Sequence, residues 1–126
     1  MVSLELARKL KDAGLKWEPK SGDSYWDDNE PMVFCGECNH YCIKDYENVY
    51  FAPSLSQLLE EITKREYVVA SWFNHKGAEF QLFQQMNLLD DGTKSMWRVG
   101  VFSSESYEDA AAEALIWILE REKDDN

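Results

Sequence analysis

The sequence predicts an α+β fold: a mostly antiparallel sheet, made of a hairpin plus a three-strand meander, packed by three helices in the order α-β-β-β-α-β-β-β-α. Three observations carry that prediction. Apolar residues recur at helical spacing in Ser3–Ala13, Ser54–Ile62 and Ser106–Leu119. Between Tyr67 and Phe102 the period changes to two. Short polar turns, Asn74-His75-Lys76-Gly77 and Asp90-Asp91-Gly92, separate the alternating runs, and turns that short join antiparallel neighbours.

Taken in order, Ser3 is positioned to cap a first helix that ends near Ala13, with Leu6, Leu10 and Ala13 on one side and Arg8, Lys9 and Asp12 toward water. Gly14 stands where a left-handed residue closes a helix, and Leu15 follows as the residue that touches Leu10 across that turn. Leu15 and Trp17 then alternate with Lys16 and Glu18, which reads as a short strand ended by the turn Pro19–Asp23. Ser24–Trp26 is a further strand, followed by the acidic turn Asp27–Pro31. Met32–Phe34 and Val49–Phe51 read as a hairpin whose tip carries the cysteines. Ser54 and Gln57 form a capping box for the second helix, where Leu55, Leu58, Leu59 and Ile62 keep the helical period.

The meander comprises Tyr67–Phe73, Phe80–Leu88 and Met96–Phe102, with Trp97, Val99 and Val101 on one side of its last strand. Ser106 caps the closing helix, and Glu108 and Asp109 lie at its positive end. Alanines at 110, 111, 112 and 114 allow close approach, while Leu115–Leu119 is five large apolar residues in a row. That is more apolar surface than one sheet covers. Another helix or a twin chain must take the remainder, so Ile116 and Trp117 are the candidate partner surface should they prove exposed.

The totals bound the function. One domain over residues 1–126 suits the length, and 44% hydrophobic with 29% charged residues describes an ordered globular chain. The net charge of −11 repels phosphate backbones, so direct nucleic-acid binding is not expected. No stretch is apolar enough to span a bilayer, and Met1–Lys11 lacks the apolar core of a signal peptide, so a cytoplasmic protein is expected. Three cysteines in a reducing compartment do not make a disulfide framework.

Ser3–Pro19 with Gly22-Asp23, Pro53–Ile62 and Asp109–Leu119 together resemble a family of small proteins from phages and prophages of Gram-positive bacteria. The matching pieces are structural and cover under half the chain, and the family has no established activity. The resemblance therefore implies provenance and makes a binding or regulatory role more plausible than a catalytic one. Cys35–Cys42 lies outside those pieces.

Cys35, Cys38, His40 and Cys42 are the one cluster with metal-ligand chemistry, because Cys-Gly-x-Cys aims two thiolates at one ion and zinc takes four such ligands. The alternative is a hairpin tip of reduced thiols, since structural zinc sites draw ligand pairs from two segments and only His75 could act remotely. No phosphate-binding loop, nucleophile–base–orienter set or metalloprotease motif is present. An enzyme is not expected. The expected function is a non-catalytic protein-binding or accessory domain, alone or as a homodimer, with no cofactor. Two alternatives stand beside it: an acidic DNA mimic presenting Asp27, Asp28, Glu30, Asp90 and Asp91 to a basic nucleic-acid-binding protein, and a zinc-stabilised binding module.

Overall fold

A computed structural model of the chain describes residues 1–35, 46–74, 77–87 and 94–124. The elements are α1 (Leu4–Ala13), β1 (Ser24–Asp27), β2 (Glu30–Val33), a 3-10 turn (Tyr46–Asn48), β3 (Val49–Phe51), α2 (Leu55–Thr63), β4 (Tyr67–Asn74), β5 (Gly77–Asn87), β6 (Lys94–Ser104) and α3 (Tyr107–Asp124). This is the predicted α+β order. The strands form two antiparallel sheets, β2-β1-β3 and β4-β5-β6, instead of one.

The helix ends follow from their capping residues. Ser3 Oγ accepts from the Leu6 amide, and Gly14, at φ 106°, closes α1. Its amide donates to the Lys11 carbonyl at 3.1 Å while the Leu15 amide donates to Leu10 at 3.0 Å, the paired bonds of a Schellman turn. In α2 the Ser54 amide donates to Gln57 Oε1 at 2.7 Å, and the Gln57 amide donates to Ser54 Oγ at 3.2 Å.

The helix α3 fills the centre. Ala110, Ala111, Ala112, Ala114, Leu115, Ile116, Ile118 and Leu119 are all buried, so no single stripe suffices, and the helix packs on α1, α2, β5 and β6. Its ends fix α1 beside it in a parallel direction. The Ser3 amide donates to Asp109 Oδ1 at 3.0 Å at one end, and Lys123 Nζ donates to the Asp12 carbonyl at 2.6 Å at the other. The excess apolar surface anticipated for Leu115–Leu119 is thus taken by α1 and α2. Ile116 is buried, and Trp117 is half-buried, edge-on to Tyr67 and Phe102 at 6.4 Å each.

In the first sheet, β1 is central and β2 does not pair with β3, contrary to the hairpin expected between Met32–Phe34 and Val49–Phe51. Asp28 and Asn29 make a two-residue turn, with Asp28 at φ 60°, and so set β2 directly against β1 with Asp27 opposite Glu30. The long connection from β2 to β3 leaves β3 to take the other edge of β1. Leu15–Glu18, where a short strand was expected, joins no ladder. Lys11 Nζ donates to the carbonyls of Glu47 and Val49 at 3.2 and 3.1 Å, which occupies acceptors along the β3 edge.

In the second sheet, Ala78, Phe80 and Leu82 face the helices and are buried. A bulge at Val99 shifts the register: Leu82 opposes Gly100, but Phe83 opposes Arg98. Trp97 and Val101 therefore point to opposite faces, not the shared face that simple alternation predicted. Gly77, at φ 123°, starts β5 where an added methyl would collide with the Ser104 carbonyl.

Glu113 on α3 sits in a half-buried position where desolvation, and then the Asp109 charge, raise its carboxyl above the ordinary range, with Lys9 opposing. A raised folded-state value favours the protonated form, so the associated stability is present below the unfolded carboxyl range and is lost as pH rises through the folded value. Glu113→Gln should therefore raise the melting temperature at neutral pH, by about 0.5 kcal/mol or less in stability, with the gain vanishing below about pH 4. Circular-dichroism melts at both pH values check the sign; a gain confined to acid would contradict it.

Candidate functional site

Two surface features could carry function. The first is a groove of about 440 Å³ between Leu15–Lys20, β3 and α2. Its floor is aromatic, with Trp17 stacked on Phe51 at 5.2 Å and 6° and standing edge-on to Phe34 at 6.0 Å. Beside them lies Asp23, the one buried charged residue among those described. Asp23 Oδ2 accepts from the Trp17 indole at 2.9 Å and the Lys20 amide at 3.0 Å, and Oδ1 accepts from Gln57 Nε2 at 2.9 Å. Gln57 thus caps α2 with its oxygen and holds Asp23 with its nitrogen.

The groove rim is equally occupied. Arg65 Nη1 donates to Glu61 Oε2 at 2.6 Å, Arg65 Nε pairs with Glu122 at 3.2 Å, and Lys64 pairs with Glu61 at 3.0 Å. Burial works to raise the Glu61 carboxyl, but the hydrogen bonds and charges of Arg65 and Lys64 outweigh it and hold the group below its ordinary value. Among the described residues no buried side-chain nitrogen or oxygen lacks a hydrogen-bond partner. Asp23, Gln57, Glu61, Lys64 and Arg65 serve one another, which is the arrangement of a structural joint, and Lys16, Glu18, Lys20 and Glu60 line the rest of the groove.

Of the candidate zinc ligands, Cys35 is exposed just beyond β2, while Cys38, His40 and Cys42 lie outside the described residues, as does His75. Among the described residues no three metal-ligating side chains come together. Asp27, Asp28 and Glu30 flank the β1–β2 turn, whereas Asp90 and Asp91 lie outside the described residues. No helix among the described residues is long and apolar enough to cross a membrane.

The second feature is the face of β4-β5-β6 turned away from α3. The register sets three rows across it: Trp72–Glu79–Ser103, Ala70–Gln81–Val101 and Val68–Phe83–Arg98, with Met96 beyond the last. Val68 (46%), Trp72 (40%), Met96 (44%) and Val101 (46%) are all exposed there. The Trp72 indole donates to Glu79 Oε2 at 3.1 Å, which fixes the ring across the strands. Neither half of this patch was legible as a surface in the sequence, because the Val99 bulge decides which β6 residues join it. The alternation of Val68, Ala70 and Trp72 was the available signal.

No family model, curated protein or solved structure matches this chain.

Proposed function

We propose that the chain is a non-catalytic protein-binding domain whose contact surface is the outer face of β4-β5-β6. The observation that carries this reading is the row structure of that face: four large apolar side chains, Val68, Trp72, Met96 and Val101, stand together at 40% exposure or more. On the opposite face Ala78, Phe80 and Leu82 are buried against the helices, and only the end residues Phe73 and Trp97 are exposed among the large apolar side chains described. The groove at Trp17 and Asp23 favours no competing reading, since its buried carboxylate and the Glu61–Arg65 pair are matched internally. The phage resemblance fits an accessory protein that works by contact.

The test compares two substitutions in an affinity capture followed by measured binding of whatever is recovered. Val68→Glu, on the outer face, should weaken binding about tenfold or more, the scale of one apolar side chain denied burial. Lys64→Ala, at the groove rim, should leave binding unchanged. Binding that survives Val68→Glu, or that is lost only with Lys64→Ala, overturns the reading.

A further inference from the structure

We infer that the outer face of β4-β5-β6 docks on the same face of a second copy of this chain, forming a two-fold sheet-on-sheet dimer. This rests on the reading of that face as the contact surface and names its occupant.

Charge placement supplies the first argument. The chain carries −11, yet its three meander strands hold one acid, Glu79, and two bases, Lys94 and Arg98. The acidic excess therefore lies elsewhere, and two such faces meet without concentrating like charge between them. A strongly basic partner would find little on this face to attract it, since electrostatic complementarity requires opposed patches.

Register supplies the second. Glu79 and Arg98 lie in the two rows that flank the central row Ala70–Gln81–Val101. A two-fold axis in the interface plane, running across the strands through that central row, lays each Glu79 row over the partner's Arg98 row. Each Glu79 on β5 then lies over the partner's Phe83, one strand spacing of about 4.8 Å to the side of the partner's Arg98. The interface thus holds two such acid–base neighbours, one from each copy, as an isologous contact requires. Gln81 falls on the axis, where two primary amides donate and accept reciprocally. The apolar members Val68, Phe83, Val101 and Trp72 fill the space around these acid–base neighbours.

Size supplies the third. Eight register pairs join β4 to β5. At about 3.4 Å per residue and about 4.8 Å between strands, the face measures roughly 27 Å by 14 Å, near 400 Å² in projection for each copy. Two copies give about 800 Å² in projection, below the roughly 1,200 Å² of standard interfaces and in the range of weak, transient ones, which implies a readily dissociable dimer.

The experiment is sedimentation equilibrium on the intact chain across protein concentration, from about 0.01 M to about 1 M salt, over which the screening length falls from about 30 Å to about 3 Å. The mass should rise from 14.7 kDa toward twice that value, and association should tighten with salt because two −11 chains repel. Val101→Glu and Val101→Lys should each weaken the dimer about tenfold or more, showing that lost apolar contact and not net charge is responsible. Glu79→Arg alone should weaken it, and Glu79→Arg with Arg98→Glu should restore it. Thermal melts of each variant confirm folding. A chain that stays monomeric at high salt, or a dimer indifferent to Val101 and to the charge exchange, overturns the inference. If the chain is monomeric while Val68→Glu still abolishes capture of another protein, the dimer falls and the contact face stands.

Discussion

Asp23→Ala is expected to destabilise the chain by about 3 kcal/mol or more, among the largest effects of any single polar substitution. Asp23 is 8% exposed, and its carboxylate takes three donors from three separate places: the Trp17 indole, the Lys20 amide and the Gln57 side-chain amide. Hydrogen bonds to a charged group contribute about 1.5–3 kcal/mol each and are not additive within one cluster. Truncation also leaves the three donors with only water to replace the acceptor, in a site walled by aromatic rings. Asp23→Asn should be milder. Its oxygen can keep the Trp17 and Lys20 bonds, but its amide then faces the Gln57 nitrogen, and Gln57 cannot turn over without giving up Ser54. Urea unfolding of the three proteins, followed by circular dichroism and tryptophan fluorescence, ranks them. A loss below about 1 kcal/mol for Asp23→Ala would mean that the buried carboxylate is not the joint its geometry describes. Because the substitution lies far from Val68 and Val101 in sequence and just before the first sheet, the folded variant should keep its contact face, which separates a stability defect from a binding defect.

What was legible in the sequence divides by range. Ser3, Gly14 and Leu15 announce the α1 ends because a cap is decided within a few residues, and the Ser54–Gln57 box is equally local. The meander is legible for the same reason, as alternation bounded by short turns. The failures turn on competition between partners and on register. Met32 could close a hairpin with either neighbour in the chain; β1 becomes its partner because the tight Asp28-Asn29 turn wins over the long connection to β3. Nothing near Val99 announces a bulge, so the outer face could not be assembled from period alone. Asp23 looks like an ordinary turn residue until Gln57, 34 positions away, donates to it. Trp17 likewise reads as a strand residue, though it becomes the hub of an aromatic cluster with Tyr25, Phe34 and Phe51.

Leu115→Ala should cost about 3–5 kcal/mol, the range for a fully buried leucine whose site cannot collapse. Leu115 has no exposed surface and sits on the helix that both α1 and α2 pack against. Its neighbours Ala111, Ala112 and Ala114 are too short to fill the space, and the ties from Ser3 to Asp109 and from Lys123 to Asp12 hold α1 at a fixed separation. Trp117→Ala makes the matched comparison. That ring is half-buried against Tyr67 and Phe102, with the Arg121 guanidinium 5.2 Å above it, so it should cost less than Leu115→Ala despite its larger volume. The reverse order would point to a Trp117 more central than its packing indicates. The unfolding curves carry a further reading. The first sheet is tied to the helices through the Trp26 indole, which donates to the Val2 carbonyl at 2.9 Å, and through Lys11 on the β3 edge. If those ties couple the layers, Leu115→Ala shifts the circular-dichroism and tryptophan transitions together, since a cavity at the centre weakens everything that α3 holds. Separated transitions would show that the small sheet and the meander unfold independently, and that α3 governs only the meander it covers.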